Sequence, residues 1–166
     1  MEVFWVFLIG GGILALSLYA HHRRKMNAIA DGHATDRDKV FFRQQHRFTT
    51  GVASIAEVAA ALDMNVLTER KVSVDKTSEA HAIIFRNGGM GAFAPFVSVL
   101  ERNGTEGDKF RYNYQIESSQ TTSSGGDDVI SANIILTQVE KAFLRLDSST
   151  EVERIAVKYK TKTKWF

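Results

Sequence analysis

The spacing of apolar and polar positions along this chain changes several times, and each spacing predicts an element. From Val3 to Ala20 the sequence VFWVFLIGGGILALSLYA runs 18 positions without a charge, with no polar side of the kind a surface helix shows. At a rise of ~1.5 Å per residue such a helix is ~27 Å long, against a bilayer hydrocarbon core of ~30 Å. The pattern predicts a retained transmembrane helix. A cleaved signal peptide wants Lys or Arg ahead of the apolar run. This chain opens on Met1-Glu2, and Ser17-Leu18-Tyr19-Ala20 is a poor cleavage match. Residues 21–30 can continue the helix, and Asp31-Gly32-His33-Ala34-Thr35-Asp36 reads as a short polar linker.

Beyond the linker the spacing is that of a small α+β domain. Val40 to Thr49 places Phe42, Gln44, His46 and Phe48 on one side of an extended chain, which favours a strand over a basic-aromatic helix lying on a bilayer. Ser54-Ile55-Ala56-Glu57 is a capping box. Ile55, Val58, Ala59 and Leu62 follow at helical spacing, so a helix is expected over 54–63. Strands are expected over Glu69–Lys76, Ala80–Arg86, Pro95–Glu101 and Lys109–Glu117, with a hairpin turn over 103–108. The polar run 118–126 reads as a loop. Asp127-Asp128 then caps a helix whose apolar stripe is Ala132, Ile135, Leu136, Val139, Phe143 and Leu146. Ile130 and Ile134 widen that stripe, so the helix should lie deep against a sheet. Alternation from Val152 to Trp165 predicts a last strand. The expected architecture is one membrane helix followed by an antiparallel sheet of five or six strands with two helices on one face. Some helix-on-sheet domains of this general layout bind apolar ligands between helix and sheet, an analogy of fold alone. The expected divisions are 1–25 for the anchor with its basic collar, 26–39 for a juxtamembrane linker, and 40–166 for the domain.

Charge gives the anchor a direction. Nothing cationic but the amino terminus precedes the apolar run, whereas Arg23, Arg24 and Lys25 follow it directly. The positive-inside bias therefore predicts the amino terminus outside and the domain in the cytoplasm, with the three cations at lipid headgroups. Net charge is +4 over 21–50, −4 over 51–150 and +3 over 151–166. Basic ends around a mildly acidic middle suit an anionic leaflet and lack the broad basic footprint of a nucleic-acid binder. The chain has no cysteine, which removes disulfides, thiolate metal sites and cysteine nucleophiles. Gly11 and Ala15, four residues apart, have the small-residue spacing that lets membrane helices self-associate.

The remaining chemistry is sparse. Lys158, Lys160, Lys162 and Lys164 alternate along the last expected strand, ~6.8 Å apart on one face. That ladder protects a sheet edge or meets an anionic partner. Arg86 to Phe93 is glycine-dense but matches no phosphate-binding fingerprint. His46 and His81 read as structural histidines, and neither His21 nor His22 has a metal-ligand spacing. Asn103-Gly104-Thr105 is a glycosylation acceptor pattern that cytoplasmic placement leaves unused. No motif for nucleophilic catalysis and no cofactor signature is present. The expected function is a membrane-anchored accessory or scaffold protein whose domain binds rather than catalyses. The alternative is a tethered ligand-binding or hydrolytic domain, its cavity lined by Phe85, Phe93, Phe96, Tyr112 and Tyr114.

Overall fold

The computed structural model describes residues 2–77, 81–88, 95–119 and 128–156, with the side chains of 2–8, 76–77 and 118–119 left aside. The apolar amino-terminal segment and the ten residues after it form one helix, α1 (Glu2–Ala30), of 29 residues. Gly32, at φ +70°, then lets the chain turn back. A 3-10 turn, Lys39–Arg43, follows, capped by Asp38, and leads into strand β1 (Gln44–Thr50). The segment expected to be strand from Val40 is thus split: Phe41 and Phe42 are buried by the turn and alternation starts only at Gln44.

Helix α2 (Ile55–Ala61) starts where Ser54 accepts from the Ala56 N–H. A second short helix, α3 (Met64–Glu69), was not expected; Asp63 caps it by accepting from Asn65 and Val66. Four strands come next: β2 (Val72–Thr77), β3 (Ala82–Asn87), β4 (Phe96–Glu106) and β5 (Lys109–Ser119). The β4–β5 connection is tighter than the expected 103–108 loop, since Glu106 pairs with Lys109 and only Gly107-Asp108 turn. Helix α4 (Val129–Leu146) and strand β6 (Glu151–Ala156) complete the described chain.

The sheet has six strands in the order β2-β3-β4-β5-β1-β6, every pair antiparallel. Its inner face carries Phe48, Ile83, Phe85, Leu100, Tyr112 and Tyr114, all buried. Phe143 of α4 stacks on Phe48 at 4.7 Å and meets Tyr112 at 5.1 Å between ring centroids. Three helices rather than two contribute to this core, because Leu67 of α3 joins Val58 of α2 and the α4 stripe. The outer face is polar, with cross-strand pairs such as Arg47–Glu153 at 3.1 Å and Arg86–Asp75 at 2.9 Å.

α4 is covered on both sides, with residues 130–139 all buried. Ala132, Ile135, Leu136 and Val139 face the sheet, while Ile130 and Ile134 meet Ala28, Ile29 and Ala34 from the end of α1 and the reversed segment. Among the described residues no helix is long and apolar enough to cross a membrane. The expected transmembrane helix is therefore not supported by the described chain; the side chains of Val3 to Leu8, a third of the expected span, fall outside it.

Candidate functional site

Helix α1 leaves the domain bare. Every side chain from Ile9 to Ala20 is exposed, and α1 holds seven of the twelve large hydrophobic side chains exposed among the described residues. Leu16, at 69% exposure, and Leu14, at 62%, are two positions apart and so lie on opposite sides of the helix; no single face is meant to be wet. Gly10, Gly11 and Gly12 have open space where a Cβ would stand. The collar follows: Arg23 and Arg24 are exposed, while Lys25 bonds Asp36 at 2.8 Å.

The expected linker is a clasp. The His33 and Ala34 N–H groups both donate to the Ala28 carbonyl, at 2.8 and 2.9 Å, and turn the chain back along α1. Thr35 donates to the Thr137 hydroxyl at 3.2 Å, and Asn133 donates to the Thr35 carbonyl at 2.7 Å. Arg37, 8% exposed, inserts against α4 and donates to Asn133, to Thr137 at 2.7 Å and to Glu140. Burial lowers the Arg37 pKa and raises that of Glu140, each opposed by the charge of its partner. Lys141 donates to the Gly32 carbonyl. Asn133, Thr137 and Glu140 form a polar track at i, i+4 and i+7 on one side of α4. That track was the sequence signal for the clasp, and its partner was not legible.

Beside the clasp lies His46, fully buried on the inner face and flanked in register by Tyr114 and Arg154. Among the described residues neither ring nitrogen has a hydrogen-bond partner, which corrects its reading as a satisfied structural histidine. Its pKa is pushed down to about 4 by burial and by the charges of Arg37 and Arg154, and the Phe41 backbone opposes this. Tyr114 donates to Ser98 at 3.1 Å, and burial raises its pKa. His81, the other expected structural histidine, is not in a buried strand: it is exposed, at φ +47°, just before β3.

Four of the five rings expected to line a ligand cavity are brought together as core. Phe85 and Tyr114 meet edge to face at 6.2 Å, Phe96 meets Phe42 at 6.0 Å, and all are at most 2% exposed. They are packed against neighbouring side chains rather than held apart around a space; Phe93 lies outside the described residues. An open cleft of about 330 Å³ lies elsewhere, between Gly51, Val52, Glu57, Leu146 and Asp147. There the Asp147 carboxylate accepts from the Gly51 N–H at 2.7 Å and from Ser149 and Thr50, which holds its pKa well below the carboxylate range. Those bonds tie the end of α4 to the end of β1. Lys158, Lys160, Lys162 and Lys164 also lie outside the described residues.

No protein-family model, no curated protein and no solved structure corresponds to the chain. Among the described residues, no three His, Asp or Glu side chains group as metal ligands.

Proposed function

We propose that this chain is a single-pass membrane protein whose domain serves as an accessory or scaffold module on the cytoplasmic side. One observation carries the reading: from Ile9 to Ala20, α1 presents apolar side chains on all sides. Burying a Leu or Ile is worth about 1.5–3 kcal/mol, so such a rod belongs in lipid. The uncharged stretch begins at Val3 and ends at a basic collar in which Arg23 and Arg24 are exposed, which supports an amino terminus outside. Arg23, Arg24 and Lys25 hold headgroups, and Lys158, Lys160, Lys162 and Lys164 act as further contacts for an anionic surface. The clasp on α4 supports a scaffold role, because hydrogen bonds fix the domain to its anchor instead of leaving it on a loose tether.

Washing membranes that contain the full chain with alkaline carbonate tests the anchor. The chain should stay in the pellet, and a variant lacking residues 1–20 should move to the supernatant. Release of the full chain would overturn the reading. Gentle detergent purification with mass spectrometry of co-purifying proteins tests the scaffold role, for which a stoichiometric companion is expected.

A further inference from the structure

The reversed segment returns toward the anchor. It leaves α1 at Ala30, hydrogen-bonds back to Ala28, and by Asp36 lies beside Lys25, five residues earlier on the helix. If Ala20 marks the end of the apolar span, Lys25 stands ~7.5 Å beyond it, the depth of the headgroup layer, which adds about 5–8 Å per leaflet. Lys39 is three residues after Asp36, so it lies within ~11 Å of it.

The 39–43 turn is built with two unlike sides. Phe41 and Phe42 point inward, where Phe42 meets Phe96. Lys39, Val40 and Arg43 point outward, with Val40 55% exposed. Val40 and Arg43 are three residues apart, which eclipses them on one side of a 3-10 turn. The nearby acids are already engaged: Asp36 bonds Lys25, and Asp38 caps the turn by accepting from the Val40 N–H at 3.3 Å. Arg37 is turned into α4, and Arg47 pairs with Glu153. Arg23, Arg24, Lys39 and Arg43 form no ion pair among the described residues. An exposed apolar side chain flanked by cations that pair with no described acid is the composition of a peripheral membrane contact.

Resting on the reading of α1 as a bilayer anchor, we propose that Lys39, Val40 and Arg43 form a second contact with an anionic bilayer surface, holding the domain down beside its anchor. Val40 enters the headgroup layer, and Lys39 and Arg43 meet lipid phosphates. The contact follows Asp36, which bonds Lys25 of the collar, and is complementary in charge to acidic phospholipid.

The absence of cysteine from the chain permits clean single labels. Full-length Val40→Cys and Leu14→Cys proteins, each carrying an environment-sensitive fluorophore, are reconstituted in phosphatidylcholine vesicles with or without about a third phosphatidylglycerol. Spin-labelled lipid should quench the Leu14 label in both vesicles and the Val40 label only in the anionic ones. Lys39→Gln with Arg43→Gln should lower the docked-to-free ratio of the Val40 label about 30-fold, roughly fivefold per charge. Both residues are exposed, so the domain stays folded in that variant. A Val40 label open to aqueous iodide while the Leu14 label is quenched by lipid overturns the second contact and leaves the anchor standing. Shielding of the Val40 label that is equal in neutral vesicles assigns the face to a protein partner or a second copy and also overturns it. A Leu14 label that stays in water removes the anchor, and this contact with it.

Discussion

His46 and Arg37 show how single side chains carry a cost that neighbouring elements impose. His46 takes up its proton at about 4 in the folded chain against 6.5 in the unfolded one. Its neutral form is compatible with the fold above pH 6.5, and stability is lost as pH falls from there through about 4. The unfolded state binds the extra proton in that window, so about 3 kcal/mol is lost across it. His46→Phe should flatten the stability profile between those pH values without loss at neutral pH, since it removes two unpaired ring nitrogens. Thermal melts of the detergent-solubilised chain at stepped pH check this. Arg37→Ala should cost about 2–3 kcal/mol, because the partly buried Glu140 carboxylate is left without its partner. Arg37→Met with Glu140→Gln should cost clearly less, and a double-mutant cycle by urea titration reads the difference. The Thr35–Asn133 contact would survive in both.

At the scale of elements, capping chemistry is the same at two helices and its consequence is not. Ser54 starts a seven-residue helix with an exposed outer side, whereas Asp128 starts α4, 18 residues long and buried against both the sheet and the end of α1. Asp128→Ala should therefore sit at the upper end of the ~0.5–2 kcal/mol range for a lost cap, and Ser54→Ala at the lower end. Chemical denaturation of the two variants side by side checks the order. The helices and strands of the domain were legible because each has its own period: α4 begins just after the expected Asp127-Asp128 cap and ends on Leu146, the last residue of its expected stripe. α3 was not, since six residues after a cap at Asp63 are too short for a periodic signal. The turn at 39–43 was read as strand because Phe42 and Phe48 alternate correctly with either conformation upstream of Gln44.

For the whole molecule, topology can be read from a side chain already in place. Asn103 and Thr105 are exposed on β4, at the end of the sheet opposite the 39–43 turn. Translation of the full chain into microsomes should leave Asn103 unglycosylated, while an acceptor site added ahead of Met1 on a spacer should be modified. Glycosylation of Asn103 would reverse the orientation argued from Arg23, Arg24 and Lys25.

The sequence by itself determined the local things: an uncharged amino-terminal helix with a basic end, the alternation of four central strands, and a capped amphipathic helix. Those are set by residues within a few positions of one another, where propensity and period act. Only the tertiary structure decided that the polar stretch after α1 is a clasp and not a linker, that five aromatic candidates include four core side chains, and that the His46 ring is buried beside Arg37 and Arg154. Each of these depends on groups far apart in the chain. Arg37 reaches Glu140 across 103 positions, and no local pattern records which distant surface will satisfy or bury a given side chain.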